Sequence, residues 1–377
     1  MATETNNIGR QVIPFTIVDN AGLSSPMFVY LYGTTNPDKP QGNTYYLSNL
    51  KTGDCTKFQP NKPAQGYGLG PYGGTQEGKF PQLDGIRIYI SYFHQLQVPT
   101  NSDGIPQAPS ADNAGPNFEL IWDFVEATWH VYTKDRSVLH VNTTQVDAFG
   151  LAFKVEHSGY DPAKPERRIT IVNGFDSNTA RRAIFDEITQ EGPPWSKLIV
   201  AGGRRVLMPL KAMDKGLFPK NQLDDYIAKV VKFYQKDNKL VFNYQNVDYV
   251  GTTDSNGNFV FVGGGKKYSI PKPTTRQCYA QDIRANPNDG VSAAICAALG
   301  ASFLRSTLMF YDEFPVPQNL RRYFYREPPV CQYARVIHGQ GIDYHAFCYG
   351  YDEVAGDAGT NRDVVNPTSI KLTINKA

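Results

Sequence analysis

Cysteine is scarce: five residues among 377, at Cys55, Cys278, Cys296, Cys331 and Cys348, none close enough to another for a CxxC metal or redox motif. The spacing leaves open up to two disulfides or free buried thiols. No run approaches the ~18 consecutive apolar residues that a membrane-spanning helix needs. The opening stretch, MATETNNIGR, is polar and has no apolar signal-peptide core, so the chain either is not secreted or is numbered from a point after the signal. An excess of one charge is also missing, with 38 basic residues against 36 acidic ones, and no nucleic-acid or membrane surface is expected. The short basic stretch GGRRVLMPLKAMDK, with GGGKK further on, reads as a solvated face. There is no HExxH, no GxSxG and no Walker loop, and the glycines of VAGGRR lack the spacing that cradles a dinucleotide. The six histidines are scattered, so neither a metal nor an organic cofactor is expected.

Tyr (23), Phe (21), Gly (33) and Pro (26) are abundant, which predicts many short strands joined by tight turns. The length suits two domains or one very large β domain. IPFTIV, MFVYLYG, NTYYLSNL and IRIYISYF read as strands, QVPTNSDGIPQAPSADNAGPN as a long surface loop, and FELIWDFVEATWHVY and LHVNTTQVDAFGLAFKVEH as further strands. Near Ser158 the character changes. DSNTARRAIFDEITQEG carries Asp176 or Ser177 as a helix cap and Gly192 as a stop. LDDYIAKVVKFYQKDN places Tyr226, Ile227, Val230, Phe233 and Tyr234 on one helical face, and NDGVSAAICAALGASFLRS predicts a buried small-residue helix. From about Val330 strand signals return in CQYARVIH, YHAFCYGYDEV and TSIKLTINK. The predicted fold is β-rich, α+β overall: a β domain from residues 1–157 completed by strands within 330–377, with a mixed α/β domain inserted at 158–329.

In IWDFVEATWHVY, period-2 alternation sets Trp122, Phe124, Glu126, Thr128 and His130 on one face of a strand and Asp123, Val125, Ala127 and Trp129 on the other. An indole beside Glu126 would withdraw water from its carboxyl, raise its pKa and suit it to protonating a glycosidic oxygen. Asp147 follows in NTTQVDAFG. If the two strands are neighbours, the carboxylates face one groove, the arrangement that glycoside hydrolysis needs. A strand carboxylate taken singly is more often a solvated charge, so spacing alone leaves the pair undecided. Trp122, Trp129 and Tyr132 offer rings for stacking on sugar and read equally well as core aromatics.

VEATW followed by NTTQVDAFGL resembles the thaumatin-like signature, and HAFCYGYDEV resembles the segment that closes the same barrel. Few cysteines and a mixed insertion make the chain resemble more closely glycoside hydrolase family 64, the β-1,3-glucanases that include laminaripentaose-producing enzymes. VIPFTIVDNAG, MFVYLYG and LDGIRIYIS extend the likeness over most of the chain. The resemblance implies a thaumatin-like β-barrel or sandwich with a groove between it and the inserted domain, inverting hydrolysis of β-1,3-glucan to short laminarioligosaccharides such as the pentaose, Glu126 as general acid and Asp147 as general base. It further implies sugar contacts at Thr128, His130, Asn142, Thr144, Trp129 and Tyr132, with Asp352 and Glu353 adding negative charge to the groove. Ala127 replaces the usual Phe, Asn142 stands where relatives carry an acid, and Glu353 stands for a second Asp. The implied setting is a secreted monomer whose leader has been removed. The competing expectation is a non-catalytic glucan-binding protein on the same barrel.

Overall fold

A computed structural model describes residues 4–61, 67–109, 115–235, 237–284, 286, 288–310, 314–326, 328–355 and 362–377. The first part of the chain forms β1 (Val12–Asp19), β2 (Met27–Thr34), β3 (Thr44–Asn49), β4 (Asp54–Lys57), β5 (Leu69–Tyr72), β6 (Thr75–Pro81) and β7 (Asp84–Tyr92). There follow β8 (Ile121–Thr133), β9 (Arg136–Thr143), the two-residue β10 (Ala148–Phe149), β11 (Phe153–Asp161) and β12 (Lys164–Gly174). Further along lie α1 (Ala180–Gln190), β13 (Ile199–Val200), β14 (Arg205–Leu207), α2 (Pro209–Asp214), α3 (Asp224–Tyr234), β15 (Leu240–Tyr244), β16 (Val247–Thr253), β17 (Phe259–Gly263) and β18 (Lys266–Ile270). The chain ends with α4 (Thr275–Ala280), α5 (Gly290–Arg305), α6 (Gln332–Gln340) and β19 (Arg362–Ile374).

Twelve strands share one sheet that curls into a nearly closed barrel, with β12-β11-β19-β9-β8-β7-β2-β3-β4 as its path. β1 pairs in parallel with the end of β19 and antiparallel with β6, so the last strand returns to the first. Inward residues alternate as the strand period requires: Val125, Ala127 and Trp129 of β8 meet Ile88, Leu139 and Val141 in the barrel core. Outward residues in the first half of β8, Trp122 and Phe124, are also buried, because they belong to a second core shared with Phe149, Leu198 and Val206. The burial pattern of β8 therefore runs solid through Val125 and begins to alternate at Glu126, where one face opens.

The large sheet continues past Ser158 to Gly174. Ser158 pairs with Thr170, and β12 is an edge strand with a mostly exposed start, which explains its weak apolar signal. α1 begins at Ala180 behind Thr179, later than the expected cap at Asp176 or Ser177. In α3 the buried stripe is Tyr226, Ile227, Val230, Val231 and Tyr234, while Phe233 is exposed. α5 is buried through Ile295–Leu304, where alanine and glycine let neighbours approach closely, and Asp289 caps its first turn by accepting from the N–H groups of Val291 and Ser292.

The strands expected in CQYARVIH and YHAFCYGYDEV are not formed. The first is α6, with Tyr333, Ala334, Ile337 and His338 buried at helical spacing, and the second is irregular with short 3-10 turns. Among the described residues from 330 on, only β19, which holds residues 368–374 of the expected TSIKLTINK strand, rejoins the barrel. All five cysteines are free and buried.

Candidate active site

Glu126 sits at the centre of a transverse row. Strand register places Tyr32 opposite Arg87, Arg87 opposite Glu126, and Glu126 opposite Asn142. Beside it, register pairs Thr34 with Thr44 on one side and Thr128 with His140 on the other. Together these residues line a groove of about 440 Å³ on the outer barrel wall, joined by Ile105 and Pro106 of the long loop. Positions 110–114 of that loop lie outside the described residues.

The Glu126 side chain is about one-third exposed, and its Oε1 lies 3.4 Å from Arg87 Nε. Burial pushes its carboxyl above the usual range, Arg87 pulls it down, and the charge of Asp147 pushes it up again. The net direction is upward. The expected indole is not the cause: Trp122 is buried against the Arg205 guanidinium 4.7 Å from its ring, and its Nε1 donates to Asn117. The side chain over Phe124 is Arg87, 5.6 Å from the ring centroid.

Asp147 lies on the short link between β9 and β10, and its charge is felt at Glu126. Its Oδ1 pairs with Lys211 Nζ at 3.1 Å, and its backbone oxygen accepts from the N–H of Met208. Two residues earlier, Gln145 N–H donates to the Phe347 carbonyl at 2.7 Å while the Gln145 carbonyl accepts from the Tyr333 hydroxyl at 2.6 Å. The Asp147 link is thus anchored to α2, to α6 and to residues 345–348.

Of the remaining predicted contacts, Thr128 and Asn142 line the groove. His130 stands further along β8 with Nδ1 2.9 Å from Asp84 Oδ1, and Tyr132, 64 % exposed, packs edge-on against it. Three expectations fail on burial, and a fourth, Glu353, on position. Trp129 points into the barrel and stacks on Phe80, as its place on the inward face requires. Thr144 is fully buried. Asp352 is completely buried, paired with Arg305 Nη2 at 2.8 Å and His338 Nε2 at 2.9 Å, so it adds no charge to the groove. Glu353 is half-buried, its carboxyl raised by burial, and lies outside the groove lining.

Asp352, His338 and Cys348 lie close enough to suggest a metal site. The donor set argues otherwise. Arg305 occupies one oxygen of Asp352, and the two His338 nitrogens face Asp352 and the Tyr344 carbonyl. Burial pushes the Asp352 carboxyl up, but His338 and Arg305 outweigh it and hold it at about 2.

The residues missed from sequence are Arg87, His140 and Lys211. Arg87 was legible, because IRIYI alternates and sets it opposite the isoleucines. His140 shares its face with Asn142 on β9 by the same rule. Lys211 lies on α2, 64 positions from Asp147, with no local pattern linking the two.

A comparison with known proteins agrees with this fold. The crystal structure of a laminaripentaose-producing β-1,3-glucanase in complex with laminaritetraose superposes with a TM-score of 0.79 at 23 % identity, covering 97 % of this chain and 99 % of the other. A β-1,3-glucanase domain of family 64 from Clostridium beijerinckii gives 0.74 at 20 % identity, covering 96 % and 98 %. A family 64 laminaripentaose-producing β-1,3-glucanase from Paenibacillus barengoltzii gives 0.64 at 18 % identity, covering 99 % and 76 %. A search of curated protein sequences gives no match. The family model described as Beta-1,3-glucanase, glycoside hydrolase family 64, matches residues 11–374, and the chain therefore belongs to that family of glycosidases.

Proposed function

We propose that the protein hydrolyses β-1,3-glucan by an inverting two-carboxylate mechanism, with Glu126 as general acid and Asp147 as general base, and that it releases short laminarioligosaccharides such as the pentaose. The observation that carries this reading is the contrast between the two carboxylates. Glu126 is partly desolvated on the barrel wall and raised in pKa, which favours the protonated form that donates to the leaving oxygen. Asp147 is slightly more exposed and ion-paired with Lys211, which places its carboxylate where it can take a proton from water on the opposite sugar face. Thr128, Asn142 and His130 supply polar groups along the wall for sugar hydroxyls, and Tyr132 supplies a ring. The protein acts on this reading as a secreted monomer.

One contact favours the binding-protein alternative: Arg87 beside Glu126 stabilises the ionised form, which cannot donate. Incubation with linear β-1,3-glucan decides between the readings. The expected result is sugar release that falls about 10³-fold in Glu126→Gln and in Asp147→Asn, with the opposite anomer formed first in proton NMR. Absence of release by the unmodified protein supports the binding-protein reading, and an unimpaired variant removes that residue from its role.

A further inference from the structure

Asp123 is a buried carboxylate that the proposed reaction does not use. It lies on β8 three residues before Glu126, on the opposite face, and is 4 % exposed. Its Oδ2 accepts from the N–H groups of Gly150 at 2.7 Å and Leu151 at 3.1 Å, and its Oδ1 from its neighbour Phe124 at 2.9 Å. Gly150 is gripped from its other side as well, since its carbonyl accepts from Arg181 Nε at 2.7 Å. A side chain at position 150 would meet the Trp122 carbonyl at 2.3 Å, so only glycine lets the link approach β8 this closely.

We propose that Asp123 is a positioning residue for hydrolysis: it ties the link that carries Asp147 to the strand that carries Glu126 and so sets how the two carboxylates face each other. The inference rests on the assignment of Glu126 and Asp147 as acid and base. The link has only two residues of strand, β10, to hold it, and Asp147 stands three residues before Gly150. Asp123 and Arg181 hold opposite sides of the peptide unit between Gly150 and Leu151, Asp123 through the Leu151 N–H and Arg181 through the Gly150 C=O. A shift of ~1 Å in such a link is enough to lower turnover about a hundredfold.

The same contacts give the residue a pH signature. All three N–H donors require an acceptor, which the ionised carboxylate supplies on both oxygens and the protonated form only in part. Burial pushes the carboxyl up by more than the three N–H groups and Arg205 pull it down, and leaves it at about 7. Arg205 on β14, Arg181 on α1 and Tyr333 on α6 are the titratable groups whose interactions reach Asp123 from the elements packed around it. Protonation of Asp123 loosens the grip on Gly150 and adds an acidic limb to turnover. Linkage has the opposite sense for stability: the folded pKa lies above the unfolded ~3.9, so the folded protein gains protons and stability as pH falls from about 7 towards 4.

The test compares Asp123→Asn, Arg181→Gln and the double variant with Glu126→Gln and Asp147→Asn, all on linear β-1,3-glucan, with far-UV circular dichroism and thermal midpoints confirming the fold. The expected result for Asp123→Asn is kcat about a hundredfold lower, KM within twofold, and loss of the acidic limb near pH 7. Arg181→Gln lowers kcat in the same sense, and the double variant loses less than the product of the two single losses, because both act on one peptide unit. Unchanged kcat in Asp123→Asn, a change confined to KM, or independent multiplicative losses in the double variant overturns the proposal. Should Glu126→Gln and Asp147→Asn remain active, the acid and base assignment itself has failed, and that outcome is distinct from the others. If Asp123→Asn does not fold, Arg181→Gln alone still decides: an unchanged kcat and pH profile overturns the clamp.

Discussion

Glu126 stands within a continuous ladder of strands, whereas Asp147 stands on a link with two residues of strand after it. The ladder fixes the Glu126 backbone by register: β7 and β9 flank it, and Arg87 and Asn142 fall opposite it, so their side-chain contacts with Glu126 follow from the strand pairing. The Asp147 link is fixed by side chains from distant parts of the chain, with Asp123 and Arg181 on Gly150, Tyr333 on Gln145 and Lys211 on Asp147 itself. One half of the site is thus robust to the loss of any single side chain near it. The other half depends on each of its clamps.

The largest expected effects lie behind these two halves. Asp352→Asn removes the carboxylate shared by Arg305 and His338 and leaves a fully buried cation unpaired, which destabilises the fold by about 3–5 kcal/mol. The folded pKa of about 2 lies below the unfolded ~3.9, so this stabilisation is present above pH ~4 and is lost as pH falls through 2. Thermal melts at pH 7 and pH 3 should therefore separate wild type and variant more at the higher pH. Trp129→Ala leaves a cavity behind the wall and destabilises by about 3–5 kcal/mol. A normal KM at low temperature in both variants would show that neither side chain contacts sugar.

A smaller effect separates clamp from ladder directly. Tyr333→Phe removes only the hydroxyl that donates to the Gln145 carbonyl, in a site buried on all sides. Turnover should fall about tenfold with KM unchanged, since the link loses one of its anchors. Equal kcat in Tyr333→Phe and wild type would mean that the link holds its shape without α6, and the contrast between the two halves would dissolve.

The ladder was legible in the sequence and the clamps were not. Period 2 in IWDFVEATWH assigned residues 122–130 of β8 to their two faces, and the same rule in IRIYI marks Arg87 as outward. What alternation does not tell is which outward residues are covered. Trp122 and Phe124 share a face with Glu126 and are buried by a second layer, a tertiary event with no local signal. The same limit explains Asp352, which the family resemblance placed at the groove and whose partners come from α5 and α6. For CQYARVIH, eight residues are too few to separate period 2 from period 3.6 by composition. Tyr333 and Ile337 lie four apart and are buried as one helical stripe. The Asp123 contacts needed the fold, because Gly150 is 27 positions away and the interaction uses its backbone alone.

Arg87→Met probes the ladder half without disturbing its register. The guanidinium lowers the Glu126 carboxyl against the upward push of burial, so its removal moves that carboxyl further up. The acid form then persists to higher pH, and the basic limb of kcat/KM against pH should move upward, with the rate on the acidic side nearly unchanged. A limb that stays in place would detach Glu126 from proton donation and turn attention to the more exposed carboxylate.

The smallest effect belongs to Tyr132, exposed at the far end of the wall. Tyr132→Ala removes no buried contact except its edge against His130, so stability should stay within about 0.5 kcal/mol. Its ring lies six residues along β8 from Glu126, about 20 Å at strand rise. A sugar that reaches it must therefore belong to a chain of several units bound along the wall. KM should rise a few-fold on long glucan and stay unchanged on a short oligomer, whereas a rise on both would place the ring near the bond that is cut. Either outcome measures how far the ladder, as opposed to the clamped link, extends the substrate's path.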